Sequence, residues 1–200
     1  YMQHRYAPED GESLDFYAAI DEQLGRLQDH GAVIGITADH GMNAKQQRDG
    51  SPRVIFLEPW LEQAGVSARV ILPITDPYVV HHGALGSLAM IHLDDPRQAT
   101  DVAGRLMQVK GITEVHERAT AVRLLQLPAD RIGDLVVLSG RDVVLGRAAE
   151  HHDLSALRGG LRSHGGRYEE MVPLVVSEPL NAAALRQSAG DPRNFDVFDF

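Results

Sequence analysis

The chain has 200 residues, of which 44% are hydrophobic and 24% charged, and its formal net charge is −9. This composition is typical of a globular protein, and the excess of acid argues against general nucleic-acid binding, which favours a basic surface. Because cysteine is absent, disulfides and thiolate ligands are excluded, and any metal must be held by His, Asp or Glu. The sequence has no apolar run of about 18 residues and no signal-peptide pattern, so we expect a cytoplasmic protein without a membrane span.

The N-terminal part of the sequence predicts a helix followed by a buried strand. From Glu12 to His30 apolar residues recur at a spacing of three to four, which predicts an amphipathic helix with a buried stripe. Ser13 is the predicted N-cap and Gly31 the predicted stop. The β-branched run Val33–Thr37 predicts a buried strand, and the polar segment 42–52 that follows predicts a loop.

Short strands and helices alternate through the rest of the chain. Strands are predicted over residues 54–57, 68–74, 87–93, 112–117, 134–138, 143–145, 171–176 and 195–198, and helical segments over 58–64, 97–109, 120–127 and 181–186. Pro73 and Pro77 argue against a central position for the end of strand 68–74. Strand 143–145 is expected to form a hairpin with strand 134–138, and strand 171–176 to return to the main sheet.

These elements predict an α/β protein with a mixed sheet sandwiched by helices. Between residues 86 and 140 the order strand-helix-strand-helix-strand predicts a small β-α-β insertion of split, ferredoxin-like type. The predicted organisation is therefore a core over residues 1–85, an α+β insertion over 86–150, and a return to the core over 151–200. The sequence does not determine the oligomeric state, and an oligomer stays open.

The first chemical signal is the pair Asp39-His40 at the end of a predicted buried strand. In open α/β sheets, ligands bind just beyond the C-terminal ends of strands, and carboxylate and imidazole are both good ligands for a zinc-type cation. Gly41 is expected to turn sharply there with a positive φ. The alternative is an ordinary strand end at which Asp39 caps the next segment. Lys45, farther along, could face the site, but we expect it to be a solvated loop residue.

Two more histidines occur beside predicted element boundaries. His4 precedes the first predicted helix, and His164 lies in the glycine-containing segment Ser163-His164-Gly165-Gly166. Glycine lets the backbone approach a site closely, so this loop can bring an imidazole near the Asp39-His40 pair. Each of these residues lies at the end of a predicted element, where ligands from separate segments can converge.

Three segments of the chain resemble the metal-binding motifs of the alkaline phosphatase superfamily, and most closely the phosphonoacetate hydrolase family. The segments are Tyr1-Met2-Gln3-His4-Arg5-Tyr6-Ala7-Pro8, Thr37-Ala38-Asp39-His40-Gly41-Met42-Asn43-Ala44-Lys45, and Arg162-Ser163-His164-Gly165-Gly166 leading to Val172-Pro173-Leu174. Asp-His-Gly after a strand is shared across the superfamily. The opening Tyr-x-x-His-x-Tyr-Ala-Pro and the continuation Met-Asn-Ala-Lys indicate this particular family.

The resemblance implies an alkaline phosphatase-like core and a site with two zinc ions. Because the two cations of such a site are about 4 Å apart, we expect His4, Asp39, His40 and His164 to lie within about 10 Å of one another. One zinc would be held by His4 and His164, with an Asp that the family pattern places directly before Tyr1. The other would be held by Asp39 and His40, with a further Asp and a nucleophilic Thr from an earlier part of the protein. The implied substrate is a small anionic phosphonate, phosphonoacetate, whose carbon–phosphorus bond is cleaved to acetate and phosphate. His164 is also a candidate for contact with that substrate.

The chain contains no segment that resembles the family's nucleophile loop or its first metal-binding strand. We therefore expect a C-terminal portion of the enzyme that contains no catalytic nucleophile, has the missing N-terminal half as its partner, and is inactive alone. Two alternatives stay open. One is a phosphodiesterase or phosphomonoesterase of the same superfamily, and the other is a metal-binding domain without catalytic activity.

Overall fold

A computed structural model of the protein describes residues 2–74, 85–155, 157, 160–179 and 192–198. The α-helices are α1 (Met2–Arg5), α2 (Gly11–Asp29), α3 (Leu57–Gln63), α4 (Ala99–Leu106) and α5 (Arg118–Leu125). The strands are β1 (Gly35–Thr37), β2 (Asn43–Ala44), β3 (Val54–Phe56), β4 (Ala68–Ile71), β5 (Leu88–Leu93), β6 (Ile112–Glu117), β7 (Leu135–Ser139), β8 (Val144–Gly146), β9 (Arg162–Ser163) and β10 (Leu174–Val176). The helix predicted over residues 181–186 lies outside the described residues.

The strands form one four-stranded sheet and three pairs. The larger sheet has the order β4-β5-β7-β6 and is antiparallel throughout. Strand β3 pairs with β8 in parallel, whereas β1–β10 and β2–β9 are antiparallel pairs. The predicted α/β class with mixed strand pairing is confirmed, and β10 returns to β1 as expected. The ferredoxin-like character of the insertion and the three domain boundaries stay predictions.

The main hydrophobic core lies on the two faces of the four-stranded sheet. Alternate residues of a strand point to opposite faces, and in β7 Leu135 and Val137 pack into a cluster with α3 and α4, whereas Val136 and Leu138 pack into a second cluster with α5. Every residue of β7 is buried. Strand β4 lies at the sheet edge, as the prolines that follow it predicted.

Three predictions of element type or pairing were wrong, and β1 is not the buried strand that was predicted, because Gly35 and Ile36 are exposed. Strand β8 does not form a hairpin with β7 but pairs with β3. The segment Asn194–Phe198 is a 3-10 helix rather than a strand. The loop predicted over 42–52 contains β2, because Asn43 and Ala44 find partners in Ser163 and Arg162 across the β2–β9 pair. The errors at β8 and β2 concern pairing between distant segments, which local sequence patterns do not encode.

Helix α2 has the predicted length but not the predicted burial. It begins after Asp10, so Ser13 is inside the helix rather than at its N-cap. The Asp10 carboxylate accepts a hydrogen bond from the Ala7 backbone N–H at 2.7 Å. Gly31 ends the helix with a φ of +86°, as predicted. The apolar side chains are exposed, with Leu14 at 55% and Leu27 at 52%. None of the described helices combines the length and apolar character needed to cross a membrane.

Candidate functional site

The candidate site is formed by the turns that adjoin two antiparallel strand pairs. Because Asn43 faces Ser163 in the β2–β9 pair, the residues before Asn43 meet the residues after Ser163. His40 precedes β2 and His164 follows β9, so the pairing brings both imidazoles to one place. The β1–β10 pair reinforces this arrangement, because Thr37 at the end of β1 faces Leu174.

The first helical turn brings His4 to the same place. Helix α1 includes His4, and the Arg162 Nε of β9 donates a hydrogen bond of 2.7 Å to the Gln3 carbonyl next to it. Arg162 is half-buried, and this burial lowers the pKa of its guanidinium, although Asp10 and Glu9 oppose the effect. Arg162 therefore anchors the His4 turn against the strand that leads into His164.

The three imidazoles lie in contact. The rings of His40 and His164 are stacked, with centroids 3.6 Å apart and planes 3° from parallel. The rings of His4 and His164 meet edge to face, with centroids 5.7 Å apart. The predicted proximity of these histidines is confirmed, and His164 occupies the middle of the group.

Asp39 and His40 are oriented by local hydrogen bonds. The His40 backbone N–H donates to Asp39 Oδ1 at 3.1 Å, and His40 Nε2 lies 3.7 Å from Asp39 Oδ2. His40 Nδ1 lies 2.9 Å from the Gly41 carbonyl oxygen. Since a carbonyl only accepts, Nδ1 donates in this contact, and Nε2 is the ring nitrogen on the side of Asp39. The Asp39 side chain is 86% exposed and is available to a ligand.

Two glycines of the site have different roles. Gly41 does not have the predicted positive φ. It allows close packing instead, because a Cβ there would lie 3.3 Å from the Glu169 carbonyl oxygen. Gly165 has a φ of +100°, which supports the prediction that the His164 loop depends on glycine conformations.

Sequence reasoning missed a buried ion pair beside the histidines. Lys45 was predicted to be a solvated loop residue, but its side chain is 0% exposed, and it pairs with the carboxylate of Glu169 at 2.9 Å. Lys45 is the last residue of the motif Met-Asn-Ala-Lys, which does not indicate a partner for its side chain. Glu169 is one of several charged residues after the His164 loop, and no periodic pattern distinguishes it from its exposed neighbours.

The side chains fit the donor chemistry of a zinc site but do not form a complete one. Imidazole and carboxylate are standard zinc ligands, and His4, Asp39, His40 and His164 present these groups together. In the part of the chain that the structure describes, no group of three or more His, Asp or Glu side chains is arranged to hold a metal ion. Zinc binding by these residues therefore requires side-chain rearrangement or additional ligands.

The sequence matches the family model for type I phosphodiesterase / nucleotide pyrophosphatase over residues 1–167. The chain belongs to this family. Among solved structures it is similar to phosphonoacetate hydrolase from Sinorhizobium meliloti 1021. The identity is 46% with a TM-score of 0.87 for the complex with phosphonoacetate, and 45% with a TM-score of 0.86 for the complex with phosphonoformate.

The chain spans about half the length of these structures, since the match covers 99% of this chain and 48% of theirs. A murine ectonucleotide pyrophosphatase / phosphodiesterase 5 is also similar, with 16% identity and a TM-score of 0.58 over 89% of this chain and 44% of that one. At this identity the likeness shows a shared fold. The comparisons thus confirm the family resemblance and the α/β fold inferred from the motifs.

Proposed function

We propose that this chain forms part of a two-zinc hydrolase that cleaves the carbon–phosphorus bond of phosphonoacetate to give acetate and phosphate. The observation that supports the proposal most is the convergence of His4, His40 and His164, with Asp39 beside them, in a chain 46% identical to a phosphonoacetate hydrolase. His4 and His164 would hold one zinc, and Asp39 and His40 the other. The remaining ligands and the nucleophile would come from sequence outside these 200 residues.

In this proposal the residues described here bind the zinc ions and orient the side chains that ligate them. Zinc, when bound, supplies positive charge that stabilises the attacking and leaving groups and lowers the pKa of the nucleophile. His40 presents Nε2 because its Nδ1 proton is donated to the Gly41 carbonyl, and such a contact fixes the tautomer of a ligating histidine. Arg162 holds the backbone beside His4. A direct contact between His164 and the phosphonate is a further part of the proposal.

Local positive charge is needed because the chain is acidic and the substrate is anionic. A net charge of −9 disfavours the approach of a phosphonate, and bound cations can reverse the local potential. The proposal therefore predicts that activity depends on metal: removal of zinc by a chelator should abolish phosphate release, and zinc should restore it.

The test uses the full-length enzyme, with His40→Ala compared with His30→Ala. His40 lies in the candidate site, whereas His30 is an exposed residue at the C-terminus of α2. We expect zinc in the wild-type protein and phosphate release from phosphonoacetate. Loss of a hydrogen-bond partner of a metal ligand can lower metal affinity or activity roughly 100-fold. Loss of the ligand itself in His40→Ala should lower zinc affinity or activity by at least that factor. His30→Ala should behave as wild type, and equal loss in both variants would contradict the assigned role of His40.

A phosphodiesterase is the second candidate, favoured by the family model over residues 1–167. The same preparation can be assayed with phosphonoacetate and with bis(p-nitrophenyl) phosphate. A higher kcat/KM for phosphonoacetate supports the first proposal, and a higher value for the diester supports the second. Zinc binding without hydrolysis of either substrate would indicate a metal-binding protein without this catalytic activity.

A further inference from the structure

Lys45 and Glu169 form a fully buried ion pair next to the candidate site. The side chains are 0% and 1% exposed, and Nζ lies 2.9 Å from Oε1. The ammonium group also donates to Ser87 Oγ at 2.7 Å and to the Arg141 carbonyl at 2.8 Å, which uses all three of its N–H donors. Burial lowers the pKa of Lys45, while the contact with Glu169 opposes that effect. Each N–H of the Lys45 ammonium group therefore has an acceptor, and its positive charge is paired with the buried Glu169 carboxylate.

Glu169 connects the two segments that contain His40 and His164. On one side, its Oε1 accepts a hydrogen bond from Asn43 Nδ2 at 2.6 Å, and its backbone carbonyl accepts from the Gly41 N–H at 2.7 Å. On the other side, its Oε2 accepts from the Gly166 N–H at 3.0 Å. The Glu169 side chain therefore joins Asn43, three residues after His40, to Gly166, two residues after His164, and its backbone carbonyl adds the contact with Gly41.

Lys45 reaches the same loop by a second route. It donates to the hydroxyl of Ser87, whose backbone N–H donates to the His164 carbonyl at 2.8 Å. The Cβ of Ser87 also lies close to Gly166, where an added Cβ would be only 2.7 Å away. The Lys45–Glu169 pair and Ser87 thus contact the His164 loop. Lys45 directly follows β2 in the chain, so it links this loop to the strand that follows the Asp39-His40 segment.

We infer that Lys45 and Glu169 are positioning residues, which hold the Asp39-His40 segment and the His164 loop at the spacing that zinc binding requires. This inference rests on the proposed function. Stability alone does not require the pair, because a buried ion pair can often be replaced by apolar residues of similar volume without loss of stability. Such a replacement cannot supply the acceptors that Glu169 offers to Gly166 and Asn43.

The test compares wild-type full-length protein with the double variant Lys45→Met/Glu169→Met. Replacing both partners together avoids leaving a single buried charge. One readout is the nuclear Overhauser effect between the His40 and His164 rings in metal-free, histidine-labelled protein, expected from their 3.6 Å stacking. The other is zinc affinity, measured by competition with a chelator. We expect the ring contact to weaken and the zinc affinity to fall by at least about tenfold.

Two further variants separate positioning from stability. Val137→Ala removes methyl groups from a residue that is 0% exposed in β7, and it should lower the melting temperature while leaving the ring contact and zinc affinity unchanged. Glu169→Gln keeps the shape of the side chain and one acceptor oxygen, and we expect an intermediate loss. If the double variant fails to fold, Glu169→Gln decides the question by the same two readouts.

Wild-type ring contact and zinc affinity in the double variant would overturn the inference. Equal losses in Val137→Ala would overturn it too, because the effect would then follow stability alone. Failure of the proposed function gives a different result: the wild-type protein would bind no zinc. In that case the ring contact still reports whether the Lys45–Glu169 pair sets the spacing of the two segments.

Discussion

Gly165 gives the His164 loop a backbone conformation that other residues adopt only with strain. Its φ is +100°, and a Cβ added there would lie 2.6 Å from Ile74 Cδ1. Both observations restrict this position to glycine. Because Gly165 directly follows His164, strain at this position will also move the imidazole that contacts His4 and His40.

We therefore expect Gly165→Ala to destabilise the protein by about 1–3 kcal/mol and to weaken zinc binding by the full-length protein. Urea unfolding and chelator competition measure the two effects. The matched control is Gly104→Ala in α4, where no atom lies within 4 Å of the added Cβ. In a helix interior this change should stabilise by about 0.5–1 kcal/mol. If Gly165→Ala is as stable as Gly104→Ala, the glycine is not required at this position.

At the scale of single residues, the sequence predicted that the three histidines lie together but not that a buried ion pair lies beside them. His4, His40 and His164 were recognised by their motifs, and their rings lie together. The burial of Lys45 was missed because its partner, Glu169, is distant in sequence and the hydrogen bonds that satisfy the pair come from several segments. The metal-binding roles of the histidines stay predictions.

At the scale of elements, an ion pair joins the four-stranded sheet to the segment after the candidate site. The Arg167 guanidinium donates from Nε to Glu114 Oε1 at 2.9 Å and from Nη2 to Oε2 at 3.2 Å. Glu114 lies on β6, at the edge of the sheet, and also contacts His116 at 2.6 Å. The hydrogen bond from Arg167 lowers the pKa of Glu114 below its ordinary value of 4.5, and His116 adds to the effect.

This pair predicts a specific loss of stability in acid. Because the pKa of Glu114 is lower in the folded state, its contribution is present above about pH 4.5 and is lost as the pH falls through the folded-state value. At pH 7 we expect Glu114→Gln to lower the free energy of unfolding by about 1 kcal/mol, since the pair is only partly exposed. The difference should shrink as the pH falls through the folded-state pKa of Glu114.

Urea unfolding of both proteins between pH 3 and pH 7 measures this difference. Glu170→Gln is the matched control, because Glu170 also pairs with Arg167 but is 57% exposed. An exposed ion pair contributes little to stability, so this variant should differ from wild type by less than about 0.5 kcal/mol. A constant difference between Glu114→Gln and wild type across the pH range would show that the ionisation of Glu114 has no part in it.

The elements themselves were predicted better than their partners. The bounds of α2 agree with the sequence prediction within one residue at each end, because apolar periodicity and the terminal glycine are local signals. The parallel pairing of β8 with β3 was not foreseen, since it joins segments about 90 residues apart. Local patterns thus identified the parts of the fold, and the contacts among distant segments determined how they assemble.

At the scale of the whole molecule, apolar residues are exposed on α2 and around the β1–β10 pair. Val33 is 65% exposed, Val175 53% and Phe195 58%, in addition to the apolar face of α2. Surfaces of this kind commonly mark interaction sites. Since the chain spans about half the length of the phosphonoacetate hydrolase structures, we propose that the rest of the enzyme covers this surface.

The final prediction is that the 200 residues need that additional part for activity. Alone, they should bind an environment-sensitive dye at the exposed apolar surface and release no phosphate from phosphonoacetate. Addition or co-expression of the remaining part of the enzyme should reduce dye binding and restore phosphate release.

The double variant Leu14→Glu/Leu27→Glu changes two exposed residues of α2. It should lower dye binding by the chain alone but impair the restoration of phosphate release. Glu62→Gln, at an exposed position in α3, is the control and should assemble normally. Phosphate release by the 200 residues alone would show that they already contain a complete site.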